Sequence, residues 1–128
     1  MQLLLDTHML LWSASQPQKL SKKALSLILN ADNKLFFSIA SLWEIAIKCT
    51  LRKVDFNINP QHLRRGLLRN GLHELPIYSE HAVGVSALLM HHKDPFDRML
   101  ISQAVAEGMW LVTSDEYIAR YPGPIQRV

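Results

Sequence analysis

The run Leu3-Leu4-Leu5-Asp6-Thr7-His8 restricts this chain more than any other stretch. Consecutive apolar residues without polar alternation describe a strand buried on both faces, the condition of a parallel strand sandwiched between helices. The run stops on a carboxylate. Open parallel sheets bind ligands outside the carboxyl ends of their strands, so Asp6 is the first candidate for a functional site.

The same pattern recurs along the chain. Leu35-Phe36-Phe37 and Trp110-Leu111-Val112-Thr113 read as further buried strands, His73 to Ile77 as a short edge strand, and Ile125 to Val128 as a last one. Helical segments separate them. His8 to Ser13 forms a short helix broken at Gln16-Pro17-Gln18, and Ser21 caps a second that runs to the polar turn at Asn30. Ser38 or Ser41 caps a third, whose apolar positions Ile39, Leu42, Trp43, Ala46 and Ile47 recur at helical spacing. A turn around Asp55 to Pro60 leads to a basic helix from Gln61 to Arg69, closed by Asn70-Gly71. Ser79 caps the next, which extends through Leu89 to a His91-His92-Lys93 connection. Asp94 as N-cap with Pro95 behind it starts another, which Gly108 ends, and Ser114 or Asp115 caps a short final one. Strands alternating with helices predict an α/β fold with a mostly parallel central sheet flanked by helices.

A chain of 128 residues is expected to form one domain, residues 1–128, and can bury roughly two-thirds of its unfolded surface. Cys49 is the only cysteine, which excludes an intrachain disulfide and zinc-finger spacing, and fits a reducing, cytoplasmic setting. No basic segment precedes the first apolar residues, and Asp6 interrupts them, so neither a signal peptide nor a membrane span is expected. The net charge of +3 favours an anionic partner mildly. Arg52-Lys53 and Arg64-Arg65 with Arg69 concentrate positive charge mid-chain, where a solvated helix face is the plain explanation.

Three more acids share the setting of Asp6: Glu44, Asp97 and Asp115. Each has an ordinary explanation as a cap, a first-turn acid or half of a Glu44–Lys48 pair. Glu44, however, lies about 100° from the centre of its helix's apolar stripe, at the rim of the buried face. Asp94 is sufficiently explained as a cap, which leaves its role beside Asp97 open. If these acids converge, repulsion follows: two unit charges about 4 Å apart cost roughly 4 kcal/mol at an effective dielectric of 20. A hard divalent cation with oxygen ligands answers that repulsion, and magnesium characteristically takes a few carboxylates together with waters and phosphate.

Taken in order, Leu4-Leu5-Asp6-Thr7-His8, Ser41-Leu42-Trp43-Glu44-Ile45, His92-Lys93-Asp94-Pro95-Phe96-Asp97-Arg98 with Met99 to Ala104, and Val112-Thr113-Ser114-Asp115 resemble the successive motifs of PIN-domain ribonucleases. The nearest likeness is to VapC-type toxins of toxin–antitoxin pairs, and it spans essentially the whole chain. That resemblance implies a Rossmann-like sheet and a magnesium- or manganese-dependent endoribonuclease acting on RNA. It implies an acidic pocket of Asp6, Glu44, Asp97 and Asp115, with Thr113 or Ser114 supplying a hydroxyl beside the last acid. It also implies a homodimer and a cognate antitoxin that covers the pocket, for which Trp12, Trp43 and the early helices offer apolar surface.

Lys48, Arg98 and the His91-His92-Lys93 segment stand near these acids in sequence and are candidates to meet the RNA backbone, which would make binding weaken steeply with salt. His8, His62, His73 and His81 show no metal-ligand spacing. Two rival classes fit the sequence less well. An aspartyl-phosphate enzyme of the haloacid-dehalogenase kind wants a second Asp where this chain has His8, and a receiver domain wants paired acids after its first strand and a late strand-end lysine. The stronger rival is a PIN-like domain that binds RNA or protein without cutting; retention of all four acids argues against it, because an anion-binding surface gains nothing from assembled negative charge.

Overall fold

A computed structural model describes residues 1–51, 58–90 and 93–128. Arg52, Lys53, Asp55, His91 and His92, and the connections expected around them, lie outside the described residues. Five strands, β1 (Gln2–Leu5), β2 (Lys34–Ser38), β3 (His73–Leu75), β4 (Trp110–Thr113) and β5 (Ile125–Arg127), form one all-parallel sheet in the order β3-β2-β1-β4-β5. The chain builds outward from β1 to β3, then returns to the other side of β1 with β4. The direction of winding therefore reverses between β1 and β4, the position where such sheets bind ligands.

The apolar runs are continuous because each central strand feeds two cores. Leu3 and Leu5 of β1 point into one with Phe37 and Val112, while Leu4 points into the other with Phe36 and Leu111. Helices α1 (Thr7–Ser15), α2 (Lys22–Leu29), α3 (Ile39–Thr50) and α4 (Pro60–Arg69) close the first core through Met9, Leu10, Ala24, Ile45, Leu63 and Leu67. Helices α6 (Pro95–Glu107) and α7 (Glu116–Ala119) close the second through Leu100, Ile101, Ala104 and Ile118.

The start signals read from sequence largely operate. Ser21 accepts from the Ala24 N–H at 3.1 Å, and Ser38, not Ser41, caps α3 by accepting from Ala40 at 3.0 Å. Asp94 accepts from the N–H groups of Phe96 and Asp97, and Gly108 ends α6 in the left-handed conformation, φ 66°. The first helix is longer than expected, because Asp6 caps it from the strand end and brings Thr7 into its first turn.

The segment after β3 departs furthest from expectation. Tyr78, not Ser79, occupies the cap position of α5 (Ser79–Gly84), where its N–H donates to Nδ1 of the buried His81 at 3.0 Å. The helix stops at Gly84, followed by a 3-10 turn at Val85–Ala87, and Leu88 and Leu89 lie outside it. The guanidinium of Arg98 gives the reason: it takes the carbonyls of Val85 at 3.1 Å and Leu89 at 2.9 Å, holding this chain segment in a conformation other than a continued helix. The edge strand likewise ends at Leu75, since Pro76 has no N–H for a ladder. The Pro76 carbonyl instead accepts from Gln103 on α6.

Candidate metal centre

β1 delivers Asp6 to the winding reversal, and two bonds fix its carboxylate. Oδ1 accepts from the Met9 N–H at 2.8 Å, capping α1, and Oδ2 accepts from the hydroxyl of Thr113 at the end of β4. Thr113 in turn accepts from the Asp115 N–H at 3.0 Å, so one hydroxyl ties both strand ends together. Of the two hydroxyls expected beside the last acid, Thr113 has this position. Asp115 uses Oδ1 to accept from Tyr117 and Ile118, capping α7. Capping and site membership are thus not alternatives: the cap orients the carboxylate that the pocket uses.

Glu44 is only 6% exposed on α3. Its Oε1 lies 2.9 Å from the Thr7 hydroxyl, and its Oε2 accepts from Lys48 Nζ at 2.7 Å. Thr7 Oγ1 also lies 3.0 Å from Ser41 Oγ, which steadies it at the mouth of β1. The Glu44–Lys48 pair expected from spacing exists, but it belongs to the pocket wall and not to a solvated helix face.

Asp6, Glu44, Asp94, Asp97 and Asp115 share one pocket of about 170 Å³. The structure brings together all four acids singled out from sequence and adds Asp94, which both caps α6 and lines the cavity. Thr7, His8 and Lys48 complete its polar wall. Thr7 was legible only in retrospect, as a hydroxyl placed directly after a strand-end acid. Among the described residues five carboxylates face one lysine here, and burial raises the Asp6 pKa above the ordinary 3.8, with Asp115 adding to the rise against the lowering effects of Thr113, Met9 and His8. The donor set is all oxygen and strongly anionic, and the space admits an ion with several waters, so these residues fit a hard divalent cation.

Among the described residues, the one trio of ligand atoms within 4.8 Å of one another lies elsewhere, at Glu80, His81 and Glu107. It does not have the chemistry of a metal site. His81 Nδ1 accepts from the Tyr78 N–H, so Nε2 carries the ring proton and faces Glu107 Oε2 at 3.5 Å as a potential donor. The pocket acids are spaced more widely, as suits carboxylates that hold a hydrated ion through waters.

Two expectations are corrected. Arg98 is buried, and besides the Val85 and Leu89 carbonyls it donates to the Tyr121 hydroxyl at 3.0 Å, so it fastens α6 to its surroundings and does not line the pocket. Trp43 is 60% exposed and edge-on to Phe96 at 5.2 Å, so it is not part of the core stripe. The basic residues of α4 remain a solvated face: Arg64 pairs with Glu74, Arg65 and Arg69 are exposed, and none of the three lines the pocket.

Comparison with known proteins agrees with this architecture. The sequence matches the PIN domain family over residues 3–124. It is 28% identical over 127 residues to Ribonuclease VapC22 of Mycobacterium tuberculosis, covering 95% of each chain. Its fold is similar to VapBC2 from Rickettsia felis bound to a promoter DNA fragment, with a TM-score of 0.73 at 16% identity over 99% of this chain and 98% of that one. It is also similar to DNA-bound VapBC from Salmonella typhimurium, with a TM-score of 0.67 at 18% identity over the same shares. With the family match spanning nearly the whole sequence and the acids of four separate elements meeting where the sheet reverses its winding, the chain belongs to the PIN-domain family.

Proposed function

We propose that this chain is a magnesium- or manganese-dependent endoribonuclease, the toxin half of a toxin–antitoxin pair. The observation that carries the reading is the pocket of five carboxylates at the junction of β1 and β4 in a PIN-domain chain. Asp6, Glu44, Asp97 and Asp115 would hold the metal, directly or through water, with Asp94 beside them. When bound, such an ion polarises the phosphoryl oxygen and supplies a nucleophile from water at neutral pH.

The chain's own residues prepare that chemistry. Thr113 and the Met9 N–H hold Asp6 in one orientation, and Thr7 does the same for Glu44. The caps on α6 and α7 fix Asp94 and Asp115 without side-chain freedom to lose on ligand arrival. RNA is the substrate in this reading, and the cytoplasm is its place of action. No described helix is long and apolar enough to cross a membrane.

A homodimer and an antitoxin that covers the pocket complete the proposal. Ile39 and Trp43, exposed four residues apart on α3, offer apolar surface for such contacts. A monomer in sedimentation at micromolar concentration would remove the dimer. The toxin reading is tested by induced expression in a bacterial host without the antitoxin. Wild type should reduce colony counts by orders of magnitude while Asp97→Asn leaves them near the empty-vector level; equal growth of the two would refute it.

A further inference from the structure

Lys48 stands where a pocket of carboxylates least needs explanation and most needs charge. Its Nζ is 2.7 Å from Glu44 Oε2, its side chain is 34% exposed, and its neighbours in the cavity wall are Asp6, Asp94, Asp97 and Asp115. It is the one lysine or arginine among the described residues lining this pocket. An i,i+4 pair on an open helix face would be worth a few tenths of a kcal/mol and could be placed anywhere on α3. This one instead partners a buried carboxylate whose other oxygen is already held by Thr7.

We propose that Lys48 exchanges Glu44 for the substrate phosphate. Without a divalent ion it pairs with Glu44 and holds that buried carboxylate in place. Once an ion takes over Glu44, the ammonium, on a flexible four-carbon stem, turns to a non-bridging oxygen of the RNA phosphate entering the same pocket. The lysine thus competes with the metal for Glu44 before binding and contacts the substrate beside it afterwards. This inference rests on the proposed metal-dependent action on RNA and assigns it a residue outside the acid set.

The exchange has a signature that a surface ion pair lacks. Lys48→Met removes the competitor for Glu44, so manganese should bind about tenfold more tightly in a calorimetric titration, while single-stranded RNA binds more weakly. With a fluorescein-labelled mixed-sequence RNA and calcium as the ion, the variant's log–log salt slope should be shallower by about 0.7, the share of one phosphate contact on a single strand. In chelator, where Glu44 retains Lys48, the substitution should change RNA affinity little. Lys48→Arg should restore RNA binding in calcium. The proposal is overturned if Lys48→Met leaves manganese affinity unchanged or lowers it, or if the salt slope in calcium does not move. A wild type that binds manganese and cuts RNA alongside such a result would sink this inference alone; a wild type that binds neither ion would sink the metal reading as well.

Discussion

Replacing Asp6 with Asn should make the metal-free protein melt at a higher temperature than wild type while removing its response to manganese. Burial disfavours the charged form of Asp6 and raises its pKa, so the native state binds that proton more tightly than the unfolded chain does. The sign follows from linkage. A raised native pKa costs stability at every pH above it, and the cost disappears as pH falls through the raised value toward the unfolded 3.8. The advantage of Asp6→Asn is therefore greatest above the raised pKa and fades as pH falls toward 3.8. Asparagine keeps a carbonyl oxygen for the Met9 cap. Manganese reverses the order, because an ion that binds only the native state stabilises by about 2.7 kcal/mol at one hundred times its Kd. Thermal melts of both proteins at neutral and acidic pH, with and without manganese, measure all of this. A metal-free Asp6→Asn protein that melts below wild type at neutral pH would contradict it.

The second large effect is structural. Arg98→Ala should lower the free energy of unfolding by about 3 kcal/mol, since it leaves two carbonyls and the Tyr121 hydroxyl without a charged donor at a largely buried site. The urea midpoint measures it, and the m-value should stay unchanged. RNA affinity of the folded variant, measured below its transition, should match wild type. A stable variant with weakened RNA binding would return Arg98 to the substrate-binding role read from sequence.

Arg98 also marks where sequence reading ends. The central strands were legible because a strand buried on both faces cannot hide its apolar run, and β1, β2 and β4 all carry one. The start of α6 was legible because Asp94-Pro95 satisfies helix-end hydrogen bonds by local chemistry alone. Glu44 was legible because its angular position put it at the rim of the core, although its depth of burial was not. What failed required tertiary knowledge. An arginine one residue after a site acid looks like a phosphate contact until the carbonyls of Val85 and Leu89 are seen to surround it. Trp43 has the composition of core and the spacing of the apolar stripe, yet it lies outside. Ser79 was an obvious cap until His81 folded back to the Tyr78 N–H and moved the helix start by one residue. The acids were separately ambiguous between cap and site because Asp6, Asp94 and Asp115 each cap a helix and also line the pocket.

In the proposed function these converged acids cut RNA with a divalent ion. Its most direct measurement is incubation of purified protein with a mixed pool of transfer and ribosomal RNA in magnesium or manganese, beside a chelator control and Asp97→Asn. Discrete cuts should appear that vanish in chelator and fall in the variant by more than the roughly 10- to 100-fold that losing an outer partner of a metal ligand costs. Cuts that persist undiminished in chelator, or equal cleavage by wild type and Asp97→Asn, would contradict it. Wild type and variant that bind the RNA equally and leave it intact would make the chain a binding domain instead.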